Sequence, residues 1–164
     1  MTTSNLTTTS RQAGFLVRGA AIAALTVLTG TAVQAAPLYV AYPGSYPATV
    51  ATVETAARAE MNVLVWPGFA RVLHVTLPGI DIPKDTASAP VCERKLAQEA
   101  KKFTQSFLAN AKKIQVRDIQ MQDTGTDIAQ APIFTEAGSL SEALKTKGFA
   151  RDSNAKPAKP WCVD

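Results

Sequence analysis

Asp81 is the residue whose setting best supports side-chain chemistry. It lies in the stretch Leu77-Pro78-Gly79-Ile80-Asp81-Ile82-Pro83-Lys84-Asp85, after an apolar strand pattern that runs from Arg71 to Leu77. Proline presets φ and glycine tolerates positive φ, so the backbone turns at Pro78-Gly79 and brings a carboxylate to the strand's end. A carboxylate there is a candidate ligand for a metal or a substrate; the competing reading is an Asp that hydrogen-bonds its own turn. His74 sits in mid-strand with no evident partner and reads as packed or solvent-facing. Cys92 and Cys162 are far apart, and with a single histidine they make neither a usual zinc spacing nor a convincing nucleophile pair.

The start of the chain reads as an address. Arg11 and Arg18 precede the apolar run Ala20-Ala21-Ile22-Ala23-Ala24-Leu25-Thr26-Val27-Leu28, and small residues follow at Val33-Gln34-Ala35-Ala36. A basic n-region, a short h-region and an Ala-type cleavage site predict a signal peptide over residues 1–35, cut near Ala35 or Ala36. The alternative, an uncleaved anchor, has too few continuous apolar residues for a span, which needs ~20. The exported chain is then expected in the periplasm or outside the cell, without stable membrane insertion. Its two cysteines, in an oxidising compartment, point to one disulfide.

Charge selects no partner. The 164 residues carry seventeen basic and thirteen acidic side chains, and loss of Arg11 and Arg18 with the leader leaves a net charge near +2. A balance that weak permits nucleic-acid contact without arguing for it.

The elements that must position Asp81 follow in order. Alternating, β-branched segments predict strands over Ala48–Glu54, Met61–Trp66 and Phe69–Leu77, with Pro67-Gly68 as a hairpin turn and Pro43 to Pro47 as turns before the first. On the third strand Leu73, Val75 and Leu77 share one face. Ala56 to Glu60 stays open between a helical turn by composition and a loop or strand end by context. Pro90 opens a helix over Cys92–Lys112, with Leu96, Ala100, Phe103, Phe107 and Ala111 as its core stripe and Lys112-Lys113 closing it against the dipole. Strands are predicted over Ile114–Ile119 and, interrupted by Pro132, over Ile128–Phe134. Ser139-Leu140-Ser141-Glu142 reads as a capping box for a short helix that Gly148 ends. Trp66, Phe69 and Phe134 read as core aromatics. No repeat, phosphate loop or nucleophile elbow is present.

Three segments carry a family resemblance: Val75-Thr76-Leu77-Pro78-Gly79-Ile80-Asp81-Ile82-Pro83, then Cys92-Glu93-Arg94 through Glu99-Ala100 to Ala111-Lys112-Lys113-Ile114-Gln115-Val116, then Ser139-Leu140-Ser141-Glu142-Ala143-Leu144 to Gly148-Phe149-Ala150. Their order and spacing, over roughly Thr49 to Arg151, resemble the staphylococcal nuclease family. The Trp161-Cys162 ending resembles exported bacterial members, in which a cysteine before the long helix pairs with a C-terminal one. The resemblance implies an OB-fold, a five-stranded Greek-key β-barrel with helices, the long one between strands 3 and 4. It would occupy residues 36–152, with a tail at 153–164 tied by the Cys92–Cys162 disulfide.

In that family two Asp side chains and a carbonyl hold Ca2+, a Glu activates water, and two Arg stabilise charge on the phosphoryl group. Asp81 matches one metal-binding Asp, and Ile82 supplies the position of the carbonyl. The Glu falls on Lys84, the strand Arg on Thr76 and the loop Arg on Thr126. Glu60 is the nearest candidate for the second metal-binding Asp, and Asp85 is the candidate substitute for the Glu, with Arg71 or Arg117 reaching inward. Two functions are therefore expected from different classes. One is a monomeric, non-catalytic module that binds nucleic acid or an envelope partner, another protein or a polysaccharide, through the barrel face. The other is a divergent Ca2+-dependent nuclease using Asp81, Asp85 and Glu60.

Overall fold

The computed structural model describes residues 39–123, 125–155 and 160–162. The expected signal peptide lies outside them. The elements in chain order are β1 (Val40–Thr55), β2 (Arg58–Trp66), β3 (Phe69–Thr76), β4 (Ile80–Asp81), α1 (Val91–Ala109), β5 (Ile114–Met121), β6 (Ile128–Gln130), β7 (Ile133–Thr135), β8 (Gly138–Ser139), α2 (Leu140–Thr146) and β9 (Arg151–Asp152). Among the described residues no helix is long and apolar enough to cross a membrane.

β1, β2 and β3 form an antiparallel meander. β5 pairs with the first half of β1, and β6 joins β3 in parallel and β5 antiparallel. The order β1-β2-β3-β6-β5 thus closes on β1, a five-membered ring of strands with two helices, as a barrel-like fold requires. Alternation fills the inside. Ala59, Met61 and Val63 of β2, Leu73 and Val75 of β3, and Val116 and Ile119 of β5 are buried together with Leu77, Ile133, Leu140 and Leu144.

Four expectations need correction. The first strand begins at Val40, not Ala48, and Pro43 to Pro47 is strand. The register against β5 slips between Tyr42 and Ser45, and Gly44 at φ 121° turns its N–H onto Asp118 Oδ1 at 3.0 Å. The proline and glycine therefore make a bulge rather than ending the pairing. The open segment resolves as a turn at Ala56-Ala57, with Arg58 to Glu60 already in β2.

α1 stops at Ala109, so Lys112 and Lys113 do not close it. Their backbone N–H groups donate instead to Glu136, at 2.7 and 3.2 Å. The helix also turns a different line inward: Ala97, Ala100, Thr104 and Leu108 are its buried residues. Small side chains let it approach the barrel closely, and the Thr104 hydroxyl donates to the Ala56 carbonyl at 2.8 Å, which fixes the rotation. Phe103 and Phe107 are half-buried, with the Phe103 ring tilted against that of Phe149 beyond α2, centroids 5.7 Å apart.

Ser139 is the residue before α2, but it makes no side-chain cap. Glu142 pairs with Lys145 at 2.9 Å, and Lys145 reaches Asp152 of β9 at 2.8 Å. Those two carboxylates raise the Lys145 pKa, the bond to Asp152 contributing most. Gly148, at φ 73°, ends the helix as expected. Pro132 separates β6 from β7.

Candidate functional site

Asp81 does not hydrogen-bond its own turn. Gly79 (φ 73°) brings the chain into β4, which pairs with β9 so that Asp81 lies directly opposite Arg151. Arg151 donates to Asp81 Oδ2 from Nε at 2.9 Å, and its Nη2 lies 2.7 Å from the same oxygen as an ion-pair contact. One charge-assisted bond and the second ion-pair contact, both from a rigid fork, fix the two side chains. The other face of the guanidinium lies 4.2 Å from the ring centroid of Trp161. The next residue, Cys162, is bonded to Cys92 in the first turn of α1. The expected disulfide is present, and it ties Trp161, Arg151 and Asp81 into one run of contacts. These residues line a cleft of about 860 Å³ together with Ile80, Lys84 and Glu93.

The other predicted positions lie elsewhere. Glu60 is in mid-β2, opposite His74 of β3. His74 does have a partner, since its Nδ1 meets Glu54 Oε1, and Glu54 also pairs with Arg58 at 2.9 Å. Asp85 lines a separate cavity with Glu54, Ala97 and Lys101. Lys84 touches both cavities, and its backbone N–H donates to Glu93 Oε1 at 2.9 Å. Thr76 sits between Arg58 of β2 and Gln130 of β6. Thr126 is in the loop before β6, where its hydroxyl and N–H donate to the Asp123 carbonyl.

Neither rescuing arginine contacts Asp81 through a hydrogen bond or ion pair. Arg71 is bound to Asp127, and Arg117 lies 4.1 Å from the Phe134 ring with its Nη2 on Gln115.

The residues present do not fit a Ca2+ site of the nuclease kind. Ca2+ takes six to eight oxygens, typically with several carboxylates converging. Among the described residues no three His, Cys, Asp or Glu side chains gather at metal-binding separation. The β1–β2 turn offers only the buried Ala56 and Ala57, and Asp81 Oδ2 is already taken by Arg151. What this cleft does chemically is hold a buttressed ion pair.

A second concave surface was not anticipated. Trp66 and Phe69 flank the tip of the β2–β3 hairpin and are 72% and 60% exposed, so they are not core residues. With Tyr42 and Tyr46 they line a pocket of about 350 Å³ whose floor includes Leu73 and Met121. The sequence held a signal for this. Aromatics immediately either side of Pro67-Gly68 fall where the sheet ends and no neighbouring strand covers them. Arg71 on the rim donates to Asp127 Oδ1 from Nε at 3.3 Å and from Nη2 at 3.1 Å, and to the Thr126 carbonyl at 2.9 Å. No protein-family model matches the sequence, and no curated protein matches it closely enough to be counted a relative.

Proposed function

We propose that this chain is a non-catalytic barrel of the staphylococcal nuclease type, with OB-fold, Greek-key connectivity, exported to the periplasm or beyond, where it binds an envelope partner. The observation that carries the reading is the Arg151 fork on Asp81. One oxygen of the carboxylate that would hold the metal is bound inside the protein, by a partner buttressed by Trp161 and the disulfide. Thr76, Lys84 and Thr126 stand where the resembled site carries its arginine, glutamate and arginine. Loss of one electrostatic donor costs ~10²–10³ in rate, and loss of acid–base help ~10²–10⁴. Even without additivity, such losses leave little hydrolysis.

Between the two ligand classes expected, an envelope partner is favoured over nucleic acid. Among the described residues the open aromatic mouth is lined by one cation, Arg71, and that cation is already paired. A nuclease assay on the oxidised mature protein, with and without Ca2+, tests the reading. Hydrolysis of DNA and RNA at background is expected. Robust cleavage by the unmutated protein, abolished by Asp81→Ala, overturns it in favour of the divergent nuclease.

A further inference from the structure

We propose that the mouth formed by Tyr42, Trp66 and Phe69, whose lining residue Arg71 holds Asp127, binds one ring of a neutral polysaccharide chain by stacking. This rests on reading the chain as a binding module, and it names the class of ligand.

The aromatic exposure is the first ground. Large apolar side chains left in water are informative where they cluster, and these three are 40%, 72% and 60% exposed around one concavity. The pocket has ring-sized volume and an apolar floor, the usual composition of a small-ligand site. The faces of Trp66 and Phe69 offer flat, polarisable surfaces to the C–H side of a sugar ring.

Charge is the second ground, and it separates a glycan from a nucleic acid. A nucleic-acid strand needs uncommitted cations for its phosphates. Among the described residues Arg71 is the one cation lining the pocket, and it is held at three points by Asp127 and the Thr126 carbonyl. Asp118, whose carboxylate holds Gly44 beside Tyr46, adds negative charge nearby. Phosphates brought here would face carboxylates. A neutral sugar has no such conflict, and its hydroxyls donate to carboxylates. Both Arg71 bonds fall on Asp127 Oδ1, and Oδ2 accepts none from a described residue. Arg71 thereby fixes Asp127 as an acceptor next to a residue that lines the pocket, with the Asp127 side chain 60% exposed.

The test uses the oxidised mature protein, titrated by calorimetry with a chito-oligosaccharide, a cello-oligosaccharide and an oligo-dT of similar length. Saturable binding of at least one glycan is expected, little changed by salt and weakened about tenfold or more in Trp66→Ala and in Phe69→Ala. Both side chains are exposed, so both variants should keep the parent melting temperature. The proposal is overturned if neither glycan binds saturably or if Trp66→Ala binds as the parent does. Tighter, strongly salt-dependent binding of oligo-dT also overturns it. Glycan binding that depends on Trp66 in a protein that also cleaves DNA would refute the non-catalytic reading and leave this one standing.

Discussion

Arg151 meets Asp81 across a two-stranded ribbon, with Nε and Nη2 on a single carboxylate oxygen at 2.9 and 2.7 Å. The pair joins the turn after β3 to the segment after α2, and the Arg151 guanidinium lies over the Trp161 ring. Asp81→Asn should keep the fold and lower stability by about 1 kcal/mol, since the carboxylate is partly solvated. Arg151→Lys should cost at least as much despite keeping the charge, because lysine supplies neither a two-nitrogen fork nor a planar face for Trp161. Denaturant titration checks both. Equal stability of Arg151→Lys and the parent would mean that only charge matters here.

The disulfide should be the larger contributor. Cys92 and Cys162 are separated by 70 positions, and the chain-entropy estimate for closing such a loop is roughly 4 kcal/mol at 25 °C. Cys162→Ser is therefore expected to lower the melting temperature markedly and expose the tail to proteases while the barrel still folds. A melting curve that reduction leaves unmoved would contradict this.

Glu136 gives the molecule an acid-sensitive joint. The Lys112 N–H first, with its own and the Lys113 N–H, holds the Glu136 pKa below its ordinary value of 4.5. A lowered carboxylate pKa contributes stability that is complete above the unfolded value and is lost as pH falls through the folded one. Glu136→Gln should be less stable than the parent at neutral pH, and the gap should close in acid below about pH 4.5. Urea midpoints of both proteins across this range measure it, and a gap that stays constant would contradict the assignment.

The fold was more legible than the site because burial leaves a periodic trace. Leu73, Val75 and Leu77 alternate inward as read. Pro132 splits its strand, and Gly148 ends its helix. Where composition misled, a single tertiary contact explains it. Asp118 turns Pro43-Gly44 into a bulge, Thr104 sets the face of α1, and Glu136 draws Lys112 and Lys113 off its end. The Asp81–Arg151 pair spans 70 positions and has no local pattern to announce it. The aromatic mouth was misread for the opposite reason, since Trp66 and Phe69 look like core in any hydrophobicity count.

The central claim is that Asp81 belongs to Arg151 and not to a metal ion. Its most direct test is the melting temperature of the oxidised protein with and without millimolar Ca2+, beside Asp81→Asn. A ligand that binds only the folded state raises stability by mass action. The account predicts the same melting temperature with and without Ca2+ in both proteins. A Ca2+-dependent rise in the parent that disappears in Asp81→Asn would contradict it.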